Sequence, residues 1–239
     1  MKTAKQLHRQ FLLYLFLCVV VFVGAWVLVF LLAEEPLFFL YFLTIMVALM
    51  LALSLLRNRI NYVTNESYLV RIKDNPAGPV SAKRAHNPNT LKTYLLSKDF
   101  ELYTTDSAHS LYYRTEKDQV KKMFRGYTLE IVVYTSKIEP EFYLDIVDEE
   151  VQAIQDKLRS EKKRVAQILV TQIKQVDELT DDVKVKTSEV FFMRMKNIVI
   201  STINVSIDLS TDKAVFLYSE AYQPSLYYKK HVDFIKKTV

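Results

Sequence analysis

The sequence contains few of the residues from which metal and redox sites are usually built. Its 239 residues include one cysteine, three glycines and four histidines. The single cysteine, Cys18, excludes an intramolecular disulfide, a cysteine-ligated zinc site and a C-x-x-C redox pair. This composition fits a reduced, cytoplasmic environment for the folded part of the chain.

The scarcity of glycine excludes the common phosphate-binding loops. The motifs G-x-x-x-x-G-K and G-x-G-x-x-G need several glycines, because backbone amides must approach the phosphate closely. Beyond Gly78 the chain has only Gly126, and the G-x-S-x-G motif of many hydrolases is also absent. We therefore expect no nucleotide cofactor of these classes, and no other cofactor is indicated.

The four histidines form no recognisable ligand pattern. None belongs to an H-x-x-x-H pair, and only His109 and His231 could meet through the fold. Isolated histidines are more often structural or solvated than metal-ligating. A metal site would therefore have to be assembled from dispersed acids, for which the candidates are Glu130, Asp145, Asp177 and Asp208.

Two long uncharged runs dominate the N-terminal part of the chain. Residues 11–33 and 37–56 contain no charged side chain, and neither run has a polar stripe at helical spacing. About 20 apolar residues in a helix cross a hydrocarbon core of about 30 Å. The first run is also too long for the apolar part of a cleaved signal peptide. The sequence predicts a two-span transmembrane helical hairpin.

The charges beside the two runs predict their orientation. The basic residues that flank them are Lys2, Lys5, Arg9, Arg57 and Arg59, whereas the connecting turn has none. By the positive-inside rule, both termini are expected in the cytoplasm, and the five basic side chains are expected to contact anionic lipid headgroups. The lysine-rich composition, without a eukaryotic targeting signal, favours a bacterial cell membrane.

The net charge of +5 comes from the N-terminal part of the chain. Residues 1–92 carry six more basic than acidic groups, and residues 93–239 carry one more acidic than basic group. A nucleic-acid partner is therefore not expected. A local basic patch remains, formed by Lys157, Arg159, Lys162, Lys163 and Arg164. It would lie at the end of a predicted helix, so a favourable interaction with the helix dipole is the preferred explanation.

Composition divides the chain into three parts. Residues 1–60 form the basic tail and hairpin, and residues 61–92 form a juxtamembrane segment and a linker rich in proline, glycine and asparagine. Residues 93–239 form a cytoplasmic α+β domain with a mixed or antiparallel sheet of about six strands and two main helices. A short helical piece is also expected near residues 118–124.

Two elements of this domain have the clearest patterns. Residues 127–136 are rich in β-branched and aromatic side chains and predict a strand, with Leu129, Ile131 and Val133 on one face. Residues 148–164 predict an amphipathic helix. Its apolar stripe consists of Val147, Val151, Ile154 and Leu158. Residues 165–171, which follow, are expected to form a buried strand.

No catalytic motif is present, so the expected function follows from location. We expect a membrane-anchored protein whose cytoplasmic domain is an interaction or scaffold module for a protein partner at the membrane, and we do not expect an enzyme. Tyr222, Tyr227 and Tyr228 are the candidate partner surface, since tyrosine is enriched at interfaces. The alternative is a membrane-tethered metal-dependent hydrolase that uses the dispersed acids.

Overall fold

The structure, a computed structural model, describes residues 4–32, 38–106, 109–118, 126–135, 142, 144–195 and 198–239. The chain divides into two compact units, Met1–Asp74 and Asn75–Val239. The boundary between them follows Asp74, earlier than the linker end predicted near residue 92.

The first unit consists of helices α1 (Ala4–Leu32) and α2 (Phe38–Asp74). The ring of Trp26 in α1 lies edge-on against Phe42 in α2, with ring centroids 5.6 Å apart. Further from the connection, Val63 and Val70 of α2 pack against Phe11 and Tyr14 of α1. These contacts make the two helices antiparallel. The juxtamembrane residues 61–73 simply continue α2.

The structure supports one of the two predicted membrane spans. Residues His8–Leu28 of α1 form a 21-residue stretch that is long and apolar enough to cross a membrane. In α2 the apolar stretch among the described residues is Phe39–Ala52, which at 1.5 Å per residue is shorter than a bilayer core of about 30 Å. The prediction of a second span at residues 37–56 is therefore not confirmed.

The second unit is an α+β domain. Its described helices are α3 (Pro88–Leu96), α4 (Leu144–Ser160), α5 (Asp181–Thr187) and α6 (Leu226–Thr238). Its described strands are β1 (Val80–Ser81), β2 (Glu101–Thr105), β3 (Ser110–Lys117), β4 (Tyr127–Thr135), β5 (Val165–Val176), β6 (Val190–Met195), β7 (Ile198–Asp208) and β8 (Lys213–Phe216).

The described strands form one mixed sheet. Seven of them follow the order β1-β8-β7-β5-β4-β3-β2, and β6 pairs with the first half of β7. Strands β4, β5 and β7 are mutually parallel, and the other pairs are antiparallel. The crossover between β4 and β5 is α4. Of the predicted alternatives, a mixed or an antiparallel sheet, the mixed sheet is correct.

The core lies between α4 and the sheet, as the sequence periodicity predicts. Leu129, Ile131 and Val133 face α4 from β4, and β5 contributes Ile168 and Val170 to the same cluster. The predicted stripe of α4 is buried against them: Val147, Val151, Ile154 and Leu158. Each such side chain removed from water stabilises the fold by about 1.5–3 kcal/mol.

The predicted linker is largely part of the domain. Strand β1 pairs with β8, where Val80 lies opposite Ala214, and Ala82 and Ala85 are completely buried. Helix α3 begins at Pro88, and the side chain of Asn87 accepts a hydrogen bond from the Asn89 amide as its N-cap. Asparagine and proline, interpreted as loop residues, thus mark a helix start. The helical piece predicted at residues 118–124 lies, apart from Asp118, outside the described residues.

Candidate functional site

The surface of α1 is apolar on the sides that α2 does not cover. Phe16, Phe30 and Leu31 are 68%, 71% and 75% exposed, and the most apolar part of the stretch His8–Leu28 contains no buried residue. Soluble monomers rarely expose a continuous apolar surface of this size, and a helix that is apolar on all sides is typical of a membrane span. The surface of α1 is the most conspicuous candidate functional feature of the first unit.

The five predicted headgroup contacts are only partly described. Arg9 is an exposed residue in α1, close to the start of its apolar stretch. Lys5, Arg57 and Arg59 lie in α1 and α2, but their side chains are outside the described part of the structure, as is Lys2 altogether. Headgroup contact by these residues stays a prediction.

The candidate tyrosine surface loses one member in the structure. Tyr228 is 1% exposed and donates a hydrogen bond to the Leu217 carbonyl at 3.0 Å, so it is a core residue of α6. Burial raises its pKa. Tyr222 and Tyr227 are partly exposed. Leu226, which precedes Tyr227 in the chain, is 68% exposed.

The ring of Tyr227 is fixed by a hydrogen bond at its hydroxyl. Its hydroxyl donates a hydrogen bond to the carboxylate of Asp118, a buried residue just after β3. Burial, together with this carboxylate, raises the pKa of Tyr227, so the phenol stays protonated. The ring is therefore positioned as a neutral, rigid group. Such aromatic side chains bury much area at low entropic cost when a partner binds.

The dispersed acids have separate roles where they are described. Glu130 is 1% exposed and pairs with Arg114 and Lys230. Asp208 accepts hydrogen bonds from Ser210 and Thr211, which hold its pKa below the usual value. Asp177 is exposed just after β5, and the side chain of Asp145 is outside the described residues. Within the described part of the chain, no group of three acids, histidines or cysteines could hold a metal ion.

His109 and His231 do not meet. His231 is completely buried between Thr171 and Ser201, whose hydroxyls lie 2.9 and 3.2 Å from its ring nitrogens. Burial lowers the pKa of His231 to about 3, so the ring is neutral and structural. His109 instead places Nε2 2.8 Å from Glu150 of α4 and Nδ1 3.5 Å from Asp106.

Four of the five residues in the predicted basic patch line one groove. Arg159, Lys162, Lys163 and Arg164 surround a volume of about 320 Å³ where α4 ends and β5 begins. Gln155, Val165 and Ile198 complete the lining. Lys157 points elsewhere and donates to the Tyr113 hydroxyl at 2.8 Å. The sequence indicates the patch, but only the turn between α4 and β5 determines which side chains face the groove.

Comparison with known proteins gives no further guide to this surface. No protein-family model matches the chain, and no curated protein matches it in sequence.

Proposed function

We propose that this protein is a membrane-anchored interaction module. The observation that carries the proposal is the exposed stretch His8–Leu28 of α1, whose 21 residues are long and apolar enough to cross a membrane. That length matches the thickness of a bilayer core. Anchoring the α+β domain confines it to the membrane surface, which raises its effective concentration for partners located there.

We further propose that α2 crosses the same membrane as a second span, with both termini in the cytoplasm. Two observations support this finer reading. Residues 37–56 carry no charge in the sequence, and the contact between Trp26 and Phe42 holds the apolar start of α2 against α1. Because the apolar start of α2 packs against α1, it would lie in the same membrane environment as α1. The positive-inside rule then favours cytoplasmic termini, because the basic residues flank both outer ends.

The partner surface that we propose consists of Tyr222, Leu226 and Tyr227. Leu226 supplies exposed apolar area, and Tyr227 supplies a ring fixed by Asp118. Interface cores are enriched in such aromatic and apolar side chains. A protein partner at the membrane face fits this surface better than a nucleic acid, because residues 93–239 carry no net positive charge.

Affinity capture with the full chain tests the partner surface. The protein is extracted from its own cell membranes in a mild detergent, as wild type, as Tyr222→Ala/Leu226→Ser, and as Val185→Ser. Val185 is 62% exposed on α5 and provides a matched loss of exposed apolar area. We expect a partner that wild type and Val185→Ser retain and the double variant loses. Equal recovery with all three proteins would contradict the proposed surface.

The hydrolase alternative has no observation in its favour among the described residues. Glu130 is committed to ion pairs with Arg114 and Lys230, and Asp208 to the turn that follows β7. We therefore do not propose an enzymatic activity.

A further inference from the structure

The groove between α4 and β5, lined by Arg159, Lys162, Lys163 and Arg164, carries more positive charge than its surroundings neutralise. Lys163 pairs with Glu161 at 2.8 Å, and Arg159 lies 3.6 Å from Asp156. Within the described residues, Lys162 and Arg164 have no ion pair, and no acid lines the groove. Because residues 93–239 are slightly acidic as a whole, this positive charge is a local feature.

The backbone at Lys162 argues against a purely structural origin of the charge. Lys162 has a φ of 59° and occupies the position just after α4 where glycine is normally found. Its amide donates to the Arg159 carbonyl at 3.0 Å, and the Lys163 amide donates to the Leu158 carbonyl at 2.9 Å. This pair of hydrogen bonds is a Schellman motif. A lysine here adopts a left-handed conformation that glycine would adopt without strain.

The backbone carbonyls at the end of α4 do not require cationic side chains as hydrogen-bond partners. The carbonyls of Lys157, Leu158 and Arg159 all accept backbone hydrogen bonds from residues 161–163. The basic side chains are therefore not required to satisfy these groups. Interaction with the helix dipole remains favourable, but it does not require four cations to face one groove.

The lining of the groove indicates the class of ligand. Arginine and lysine together bind phosphate oxygens by charge-assisted hydrogen bonds. Val165 and Ile198 add half-buried apolar side chains to the same lining. A phosphodiester with apolar atoms next to it matches both parts, and that is the chemistry of a phospholipid near its headgroup. The anionic surface of a membrane also attracts clusters of basic residues.

We propose that this groove binds the phosphate of an anionic phospholipid headgroup. The choice of a lipid over a free phosphate rests on the proposed membrane anchoring. The site is distinct from the basic residues beside the hairpin, because it belongs to the second unit, Asn75–Val239.

Native mass spectrometry of the full chain in neutral detergent micelles tests the site. Phosphatidylglycerol is titrated against wild type, Lys162→Gly/Arg164→Ala, and the control Lys213→Ala/Lys229→Ala. The control removes two exposed lysines far from the groove in sequence. We expect the affinity for phosphatidylglycerol to fall about ten-fold or more in the groove variant and less than two-fold in the control. An equal loss in both variants, or no loss in either, would overturn the proposal.

Further ligands distinguish the source of the phosphate. Phosphatidylcholine, glycerol 1-phosphate, inorganic phosphate and a single-stranded RNA are titrated in the same way. We expect all four to bind much more weakly than phosphatidylglycerol. Glycerol 1-phosphate or RNA binding as tightly as phosphatidylglycerol, with the same loss in the groove variant, would overturn the assignment to lipid.

Two controls separate this proposal from its alternatives. Thermal unfolding shows whether the groove variant is folded, and Lys162→Gly removes a strained residue, so a loss of binding cannot follow from instability of that turn. Membrane association of the full chain is measured separately by alkaline extraction. The two results are independent. The chain can fail to anchor while the groove still binds lipid in micelles, and the groove can fail to bind lipid while the chain stays anchored.

Discussion

Charged residues occupy the left-handed backbone positions that glycine normally takes. Asp99, Lys162 and Asp212 have positive φ angles, whereas none of the three glycines does. A non-glycine residue in this conformation costs about 1 kcal/mol. Sequence patterns could not reveal these positions, because the usual signal, a glycine after the helix, is missing.

Glycine at the two helix ends should therefore stabilise the domain. We expect Lys162→Gly and Asp99→Gly each to raise the free energy of unfolding by about 0.5–1 kcal/mol, since each relieves backbone strain. The measurement is urea unfolding of the full chain in detergent, followed by near-ultraviolet circular dichroism of the tyrosines. The controls are substitutions at the neighbouring residues, Lys98→Gly beside Asp99 and Lys163→Gly beside Lys162. We expect both controls to lower the free energy of unfolding. Destabilisation by all four substitutions would contradict the account.

The buried His231 should make the domain sensitive to acid. Burial lowers the pKa of His231 to about 3 from an ordinary value of 6.5. Between these pH values the unfolded chain binds a proton that the folded chain does not, so stability is complete above pH 6.5 and falls as the pH drops. At about 1.4 kcal/mol per pH unit, the free energy of unfolding should decrease by about 2 kcal/mol from pH 7 to pH 5.

The variant His231→Gln isolates this contribution. Glutamine can still bond to the hydroxyls of Thr171 and Ser201, but it does not titrate. Urea unfolding at pH 5, 6 and 7 should show a clearly smaller pH dependence for the variant than for the wild type. If the free energy of unfolding depended equally on pH in both proteins, His231 would be accessible to protons in the folded state.

At the scale of elements, the sequence pattern predicted helix α4 and strand β4 but not helix α3, helix α5 or strand β1. Helix α4 and strand β4 were predicted because their apolar residues repeat at the spacing of a helix and a strand, and both face the core that the pattern implies. Helix α3, helix α5 and strand β1 have nine, seven and two residues, too few for a periodic signal. Their local cues, Asn87-Pro88 and Thr180, resemble ordinary loop residues.

The close approach of β4 and β5 depends on the glycine that precedes β4. A Cβ atom added at Gly126 would lie 2.7 Å from the Cβ of Ala166, which has no freedom to move away. We expect Gly126→Ala to lower the free energy of unfolding by about 1–3 kcal/mol, as measured by urea unfolding. At Gly78 an added Cβ meets nothing within 4 Å, so Gly78→Ala is the matched control.

A second variant tests the contact itself. Combining Gly126→Ala with Ala166→Gly removes the opposing methyl group and should restore part of the lost stability. If the double variant is destabilised by the sum of the two single effects, the contact between the two residues is not the cause.

At the scale of the whole molecule, the sequence predicts the apolar N-terminal helix better than it predicts the candidate surfaces. The apolar run at residues 11–33 needs no tertiary structure to be recognised, because it is long and uncharged. The candidate surfaces depend on burial, which sequence could not assign: Tyr228 is in the core, and the neighbouring Leu226 is exposed. The basic groove likewise required the geometry of the turn after α4.

The number of spans determines on which side each terminus lies. With both α1 and α2 in the membrane, a reporter before Met1 and a reporter after Val239 should be active on the same, cytoplasmic side. If α1 alone crosses the membrane, the two reporters should be active on opposite sides. Alkaline phosphatase and green fluorescent protein fusions to the full chain make this comparison, and opposite locations would contradict the two-span proposal.

Anchoring of the chain by its apolar helix is the property on which the proposed function depends most directly. The measurement is extraction of membranes from cells that produce the full chain, first with high salt, then with alkaline carbonate, then with detergent. A protein held by α1 should remain in the membrane pellet through both salt and carbonate and be released only by detergent. Release of the full chain into the carbonate supernatant would contradict the account.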